Sequence, residues 1–197
     1  MFTIFVFFFF TEFEIEDKFE IKKNQLIKTY EKLGPQYKVE FNILVKKKPN
    51  FWEQNVFQFT ATDNRCCDFG DRIPYFGLHT WEGQTFHFAN EVGSHKGKPG
   101  NRYVNEPYEL FKDYKIIIQQ YENSENVWKY EIIINGNVIE SVENQKPKEY
   151  NNVKFYASNR WDTAFTTEYG RVWGMKIKST GWTEPGKYSK SSRPSLA

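Results

Sequence analysis

Residues 36–47, QYKVEFNILVKK, alternate apolar and polar side chains with a single exception, Leu44. Side chains two positions apart project from the same face of a β-strand. The opposite face of this stretch carries lysine, glutamate and asparagine. The pattern therefore predicts a strand with one face in a hydrophobic core and one in water. The predicted core face consists of Tyr37, Val39, Phe41, Ile43 and Val45.

Residues 128–144, WKYEIIINGNVIESVEN, predict a β-hairpin. Apolar residues again occupy alternate positions before Asn135 and Gly136. An Asn-Gly pair supplies the two positive-φ residues that a type I′ hairpin turn requires. Residues 55–62, NVFQFTAT, repeat the alternation and predict another strand, with Gln58 and Thr60 on its polar face.

Proline and glycine separate similar short segments along the chain, and no segment has sustained helical periodicity. We predict an all-β, antiparallel jelly-roll β-sandwich of about 11–13 strands, because frequent turns between short strands are typical of that class. The domain is predicted to span residues 12–180, and residues 181–197 have the polar composition of a flexible tail. Two long connections, residues 63–71 and 90–107, interrupt the strands, and such loops are often functional.

The composition is that of a folded domain without a nucleic-acid footprint. Aromatic residues make up 19% of the 197 residues, far too many for a disordered chain. The net charge of +2 comes from 27 basic and 25 acidic residues. Nucleic-acid-binding domains usually carry a clustered basic face, so this near balance argues against DNA or RNA as a partner.

Residues 1–10, MFTIFVFFFF, are apolar at every position except Thr3. A membrane-spanning helix needs about 20 residues, so we expect no transmembrane helix here. The length fits the apolar region of a signal peptide, although no basic residue precedes it and no small-x-small cleavage site follows. We interpret residues 1–11 as a signal peptide or its remnant. This interpretation implies a secreted or extracellular protein whose mature form begins between Thr11 and Asp17. The alternative is that the apolar segment forms a buried first strand.

Four segments occur in a recognisable order: residues 36–47, GDRIPYFGLHT at 70–80, the hairpin at 128–144 and NVKFYASNRW at 152–161. This order resembles the concanavalin A-like lectin/glucanase superfamily and, within it, the laminin-G-like modules of extracellular proteins. The resemblance covers residues 36–179. It implies two antiparallel sheets packed face to face, with a binding surface on the loop rim or the concave sheet. Members include sugar-binding lectins, calcium-dependent adhesion modules and glycoside hydrolases.

The acidic motif of the superfamily's enzymes is missing from this chain. The resemblance implies that a catalytic member would carry an ExDxE- or ExDxxE-type cluster, which places two catalytic carboxylates on one face of a strand. The nearest match, EFEIEDKFE at residues 12–20, has no aspartate in register and is more typical of a solvated strand face. We expect a non-catalytic recognition module that binds a glycan or an extracellular protein through loops at the sandwich rim. The alternatives are a glycoside-active enzyme with an unrecognised carboxylate pair and a structural adhesion or matrix domain without a small ligand.

The chain's two cysteines, Cys66 and Cys67, are adjacent in the predicted loop 63–71. Zinc is disfavoured because it needs about four tetrahedral ligands, usually with paired spacing. A nucleophilic cysteine needs a histidine within hydrogen-bond reach, and nothing in the sequence places one there. Three interpretations remain: a vicinal disulfide, which we favour in a secreted protein, a reduced pair packed under the loop, and pairing with another chain.

The same loop contains Asp68 and Asp71. Calcium binds several oxygen ligands, and the resemblance to lectins and laminin-G-like modules implies a calcium site at a loop rim. These two aspartates are its leading candidates, and calcium is the only cofactor that we expect. Turn formation is the alternative, because aspartate side chains hydrogen-bond nearby backbone groups.

Sugar recognition needs exposed aromatic rings beside hydrogen-bonding groups. Trp81, Trp161 and Tyr103 lie in or near predicted loops, whereas Trp52 is left unassigned. Trp161 has an alternative role as a lid folded over the sandwich edge. The predicted ligand-binding residues are Arg72, Trp81, Asn159, Trp161 and Asp162.

Overall fold

A computed structural model of the protein describes residues 10–15, 20–66, 68–80, 83–91, 94–95, 98–99 and 102–180. Within these ranges the chain forms fifteen strands, twelve of them five residues or longer. In chain order the strands are β1 (Phe10–Ile15), β2 (Leu26–Leu33), β3 (Tyr37–Val45), β4 (Glu53–Thr60), β5 (Tyr75–His79), β6 (Thr85–Asn90), β7 (Ser94–His95), β8 (Lys98–Pro99), β9 (Arg102–Pro107), β10 (Asp113–Glu122), β11 (Trp128–Ile134), β12 (Asn137–Glu143), β13 (Tyr150–Tyr156), β14 (Thr163–Ala164) and β15 (Gly170–Thr180).

The strands form two large sheets. Sheet A has six antiparallel strands in the order β1-β15-β3-β10-β11-β12. Sheet B has the order β2-β13-β4-β5-β6-β9, and the short β14 adds to β4 in parallel. The two-residue strands β7 and β8 pair only with each other. Half of the neighbouring pairs along these two strand orders are distant in sequence, which is typical of a jelly-roll arrangement.

The apolar faces of the two sheets meet in one core. Phe41 of β3 packs against two rings of sheet B, with centroid distances of 5.2 Å to Phe57 and 4.9 Å to Phe76. All three side chains are fully buried. Burying such a side chain contributes about 1.5–3 kcal/mol to folding, so these contacts hold sheet A against sheet B.

The local predictions for β3 and the hairpin are confirmed. Alternate residues of β3 are buried from Tyr37 to Val45, and the intervening ones are partly exposed. Asn135 and Gly136 have φ values of 50° and 83°, and they join β11 to β12. The predicted fold class, an antiparallel jelly-roll β-sandwich, is also confirmed. The described residues include no helix long and apolar enough to span a membrane.

Two sequence expectations need correction. The polar face of β4 is not in water, because Gln58 and Thr60 are fully buried. The connection 90–107 is not one loop, because Arg102–Pro107 forms β9 and pairs with β6. The first described strand begins at Phe10, two residues before the predicted domain start, and pairs with β15. Residues 1–9 and 181–197, which carry most of the predicted signal peptide and the predicted tail, lie outside the described residues.

Candidate ligand-binding site

The outer face of sheet B is polar and yet largely covered. In β5, Phe76 and Leu78 point into the core, so Tyr75 and His79 project from the opposite face. His87 of β6 lies opposite Gly77 and shares that outer face. Tyr75 is fully buried and His87 is only 7% exposed. Another part of the chain must therefore lie over this face.

The covering segment is the loop between β4 and β5, of which residues 61–66 and 68–74 are described. Gln58, on the outer face of β4, donates from Nε2 to the backbone oxygens of Asp71 at 2.7 Å and Asn64 at 3.2 Å. The Ala61 amide donates to the Gly70 oxygen at 2.7 Å and closes the loop at its base. Gln58 and Thr60 of β4 thus bind the loop instead of water, which explains why this part of β4 is covered on both faces.

Glu91, directly after β6, holds the same loop from a second direction. Its Oε1 accepts the backbone N–H groups of Asp71 at 2.6 Å and Arg72 at 3.3 Å. Its Oε2 accepts the hydroxyl of Tyr150 on β13 at 2.9 Å. Burial raises the pKa of Glu91, and the hydrogen bonds to its carboxylate oppose that rise. The carboxylate therefore ties the loop to both β6 and β13.

A pocket of about 310 Å³ opens between this loop and the outer face of sheet B. Its volume is at the lower end of the range typical of small-molecule sites. Its walls combine aromatic rings with charged groups and imidazoles. These side chains come from β4, β5, β6 and β9, from the residue just before β4, and from the covering loop. The described lining residues are Trp52, Glu53, Arg65, Cys66, Arg72, His79, His87 and Tyr103. A cavity of about 380 Å³ on sheet A has no histidine or carboxylate among its described lining residues, so we assign the chemistry to the pocket on sheet B.

Two carboxylates share a tyrosine and an arginine at the base of the pocket. The Tyr75 hydroxyl donates to Glu53 Oε1 at 2.6 Å and lies 3.4 Å from Asp162 Oδ2. Arg65 Nη2 lies 2.8 Å from Asp162 Oδ1 and 3.7 Å from Glu53 Oε2. Burial raises the pKa of Tyr75 well above its usual value, and the two carboxylates raise it further. The hydroxyl consequently stays protonated and serves as a hydrogen-bond donor.

Arg72 occupies a different environment from Arg65. Its guanidinium carbon lies 4.4 Å from the ring centroid of Tyr75 and 5.8 Å from that of Tyr103. Its Nε donates to the backbone oxygen of Arg65 at 3.1 Å. The residue is 4% exposed and lines the pocket. Aromatic faces attract cations, so these rings hold the Arg72 side chain in the pocket wall.

Four rings form a continuous row across the pocket. The centroid distances are 6.0 Å from Trp52 to His79, 5.4 Å from His79 to His87 and 5.5 Å from His87 to Tyr103. Trp52 is 51% exposed and Tyr103 is 46% exposed, whereas the two histidines lie deeper. His87 Nδ1 lies 2.7 Å from Asn105 Oδ1. Burial lowers the pKa of His87, and nearby Arg72 lowers it further, so the ring is neutral at pH 7.

The predicted ligand-binding residues are distributed over three positions. Arg72 lines the pocket. Asp162 lies at its base, where it is 4% exposed and holds Arg65. Trp161 is partly buried and stacks with Arg160 at 4.6 Å, and it is not among the described residues that line the pocket. Trp81 lies outside the described residues.

Asn159 is a fully buried support for Asp162. Its Nδ2 donates to Gln58 Oε1 at 2.6 Å and to Asp162 Oδ2 at 2.8 Å. Its Oδ1 accepts the backbone N–H groups of Trp161 at 3.0 Å and Asp162 at 2.8 Å. With its amide engaged in this way, Asn159 positions Asp162, and Asp162 in turn positions Arg65.

The geometry of Asp68 and Asp71 favours turn formation over calcium binding. Asp71 is fully buried; its Oδ2 accepts the Asp68 amide at 2.8 Å, and its Oδ1 accepts the Thr62 hydroxyl. Among the described residues, no three His, Cys, Asp or Glu side chains cluster to hold a metal ion. The carboxylate of Asp71 is already engaged within the loop, so a calcium ion bound there would compete with these two hydrogen bonds. The calcium hypothesis stays an untested prediction.

Cys66 is disulfide-bonded and lines the pocket beside the two arginines. Cys67, the other cysteine of the sequence, lies outside the described residues, so the vicinal pairing stays a prediction. In either case Cys66 contributes to the wall that the covering loop forms.

Most of the pocket floor was not predicted from the sequence. Glu53, His79 and His87 line the pocket from strands, and Tyr75 lies on a strand beneath it, whereas the predicted ligand-binding residues were placed in loops. A signal was present: residues 75–79, YFGLH, and 85–90, TFHFAN, place polar or ring-bearing residues at alternate positions between core residues. Polar groups repeated at period two on adjacent strands predict one polar sheet face.

Comparison with known proteins assigns no family to this chain. No protein-family model and no curated protein matches the sequence. Solved structures of similar fold include a SAP-like pentraxin from Limulus polyphemus, with 15% identity and a TM-score of 0.47 over 82% of this chain and 72% of that one. An endo-β-1,4-glucuronan lyase from the fungus Trichoderma reesei has 11% identity and a TM-score of 0.46, covering 87% of each chain. The carbohydrate recognition domain of Emp47p has 11% identity and a TM-score of 0.46, covering 87% and 88%.

At these levels of similarity we transfer no activity and no residue role to this chain. The jelly-roll architecture is consistent with the concanavalin A-like resemblance, whereas the laminin-G-like subdivision stays a prediction. The pocket on sheet B is therefore the feature of this chain that bears on function.

Proposed function

We propose that this protein is an extracellular glycan-binding module and that the glycan binds in the pocket on sheet B. The observation that carries this proposal is the ring row, which we define as Trp52, His79, His87 and Tyr103. It begins and ends with half-exposed aromatic residues and lies beside a base of hydrogen-bonding groups. Sugars present apolar C–H faces and polar hydroxyl edges, so they match a surface of this mixed kind.

The polar groups of the pocket are already ordered. Arg65 is held by Asp162 and Glu53, and Glu53 is held by Tyr75. A side chain that is fixed before binding loses less conformational entropy when a ligand arrives. This order favours recognition of a small polar ligand over an adhesion surface without one.

The location of the protein belongs to the same proposal. A disulfide at Cys66 and the apolar residues 1–11 support secretion. Cleavage between Thr11 and Asp17, however, would remove part or all of β1, the edge strand that pairs with β15. N-terminal sequencing of the secreted protein tests this point, and a start after Asp17 would require sheet A to be stable without β1.

Isothermal titration calorimetry with oligosaccharides that bind on a glycan array tests the proposal. We expect Trp52→Ala and Tyr103→Ala each to weaken binding by about two- to tenfold, because ring stacking contributes about 0.5–1.5 kcal/mol beyond the buried area. Phe111→Ala is the matched control, since Phe111 is 73% exposed and is not among the described lining residues. Full affinity in both pocket variants, or no glycan binding by the wild type, would contradict the proposal.

A glycoside-active enzyme is a second candidate because of one observation. Glu53 Oε1 and Asp162 Oδ2 lie 2.6 and 3.4 Å from one hydroxyl, so these oxygens are at most about 6 Å apart. Retaining glycosidases separate their two carboxyl groups by about 5–5.5 Å. The burial of both groups and their pairing with Arg65 argue for a structural role. If the wild type turned over the bound oligosaccharides and Glu53→Gln abolished this turnover, the protein would be an enzyme instead.

A further inference from the structure

We propose that the glycan recognised by this pocket is acidic and that Arg72 binds its carboxylate or sulfate group. This inference rests on the proposed glycan-binding function and names the chemical class of the ligand. Its basis is the different pairing of the two arginines in the pocket wall.

Arg65 has two carboxylate partners, and Arg72 has no carboxylate partner among the described residues. Two carboxylates, those of Asp162 and Glu53, lie within 4 Å of Arg65. Among the described residues, no ion pair involves Arg72, whose side-chain hydrogen bond goes from Nε to the backbone oxygen of Arg65. The carboxylates of the pocket base are therefore committed to Arg65 and Tyr75, and Arg72 is the cation left for a ligand.

Because Arg72 is buried, its lack of a carboxylate partner has an energetic cost. A charged group that leaves water without an opposite charge carries a substantial desolvation cost. Arg72 is 96% buried, and the nearby negative groups of Asp71 and Glu91 are engaged with the loop backbone. Ring faces at 4.4 and 5.8 Å offset only part of that cost. An anion entering the pocket would supply the missing partner.

The position of Arg72 relative to the ring row suits a charged sugar. The same Tyr103 ring lies beside the Arg72 guanidinium and stacks with His87. A sugar stacked on the half-exposed Tyr103 therefore has a guanidinium beside its edge. Planar guanidinium groups bind carboxylates and sulfates through paired N–H donors, and these charge-assisted hydrogen bonds are stronger than those to a hydroxyl.

The test compares acidic oligosaccharides with a neutral one. Tetragalacturonate and its methyl ester have the same sugar backbone, and a sulfated neutral tetrasaccharide presents sulfate without carboxylate. We expect the wild type to bind a charged ligand, either the uronate or the sulfated sugar, at least tenfold more tightly than the ester, which corresponds to 1.4 kcal/mol. The stronger of the two charged ligands identifies the anion.

Variants of Arg72 assign the preference to this residue. Arg72→Gln is expected to abolish the difference between charged and neutral ligands, and Arg72→Lys to retain part of it because the charge remains. Arg160→Gln is the matched control, since Arg160 is exposed and donates to the Asp63 oxygen outside the described pocket lining. If Arg72→Gln fails to fold, the ligand comparison with the wild type still decides.

The outcomes separate this inference from the proposed function. Equal affinity for the uronate, the sulfated sugar and the ester would overturn the acidic-ligand inference and leave glycan binding intact. A charge preference that Arg72→Gln retains would overturn the role of Arg72. Binding of no glycan, charged or neutral, would overturn the proposed function as well.

Discussion

The hydroxyl of Tyr75 lies 2.6 Å from the carboxylate of Glu53, and both groups are almost completely buried on the outer face of sheet B. Tyr75 belongs to β5 and Glu53 begins β4, so this hydrogen bond crosses between neighbouring strands. The Tyr75 ring also supports Arg72. One tyrosine thus connects the carboxylate base of the pocket with the arginine that we assign to the ligand.

Replacing Tyr75 with phenylalanine tests that connection. The ring stays under Arg72, but Glu53 loses a buried donor, and an unsatisfied buried group costs about 1–3 kcal/mol. We expect a loss of that size in the free energy of unfolding, measured by urea denaturation, with weaker glycan binding. Tyr121→Phe is the control, because Tyr121 lies on sheet A and is partly exposed. A Tyr75→Phe protein with unchanged stability would show that the hydrogen bond contributes nothing net.

Glu91 is expected to control the covering loop. Glu91→Ala leaves the buried amide of Asp71 and the Tyr150 hydroxyl without their acceptor. At about 1–3 kcal/mol for each buried group left unpaired, we expect a destabilisation of at least about 2 kcal/mol. Hydrogen exchange should accelerate in residues 61–73 before the rest of sheet B. Glu91→Gln keeps an acceptor oxygen and is expected to retain most of the protection, and equal exchange in both variants would contradict this role.

The absence of a side chain at position 77 leaves room for the hydroxyl of Tyr75. A Cβ at Gly77 would lie 2.5 Å from the Gln54 backbone oxygen and 2.9 Å from the Tyr75 hydroxyl. Because the oxygen at 2.5 Å belongs to the backbone, Gly77→Ala must shift β4 or β5, and overpacking of this kind costs about 1–3 kcal/mol. Gly83→Ala is a useful comparison in an open site, although its φ of 111° adds backbone strain. Thermal unfolding and glycan titration of both variants measure the effect, and unchanged ligand affinity in Gly77→Ala would show that Tyr75 is not displaced.

His87 is expected to make the protein less stable in mild acid. Its folded-state pKa is lowered, chiefly by burial, whereas the unfolded chain protonates it near pH 6.5. Between those two pKa values the unfolded state binds more protons, so stability falls as the pH falls from about 6.5. The charged or titratable groups around the ring are Glu53, Arg72, His79, Tyr75 and Tyr103.

Comparison of variants isolates the effect of His87 from that of the surrounding groups. The pH dependence of the free energy of unfolding should be shallower in His87→Gln than in the wild type over this window. His95→Gln is the control, because His95 belongs to the separate β7–β8 pair. Parallel curves for wild type and His87→Gln would contradict the prediction.

The oxidation of Cys66 predicts a protein without free thiols. Denatured, unreduced protein from a secretory host should show no reaction with a thiol reagent, and reduction should release two thiols if Cys66 and Cys67 pair with each other. Because Cys66 lines the pocket, mild reduction is expected to alter glycan affinity more than the far-ultraviolet circular dichroism spectrum. Two free thiols before reduction would exclude the disulfide, and a disulfide-linked dimer would identify pairing with another chain.

The strands could be predicted because their signal is local. In β3 each residue's burial follows from its position in an alternating run, and at Asn135 and Gly136 the turn follows from two residues. The site was predicted only in part. Arg72 was expected in a ligand-binding loop and lines the pocket, whereas Trp52 was left unassigned and His87 was missed.

Gln58 shows why the remainder needed the tertiary structure. Its alternation with Phe57 and Phe59 assigns it correctly to the face opposite the core, but not to water. It is buried because residues 61–74 fold back and place the oxygens of Asn64 and Asp71 on its amide. Period-two patterning specifies which face a side chain occupies, and it contains no information about what later covers that face.

The sequence by itself determined an antiparallel sandwich, its core faces and its hairpin, because strand alternation and turn chemistry depend on adjacent residues. Only the tertiary structure decided that Glu53, Tyr75 and Asp162 meet and that Arg65 takes both carboxylates while Arg72 takes neither. These residues are up to 109 positions apart in the chain, between Glu53 and Asp162. Their pairing is set by the order of strands in sheet B and by the loop that covers it, and both depend on contacts between distant parts of the chain.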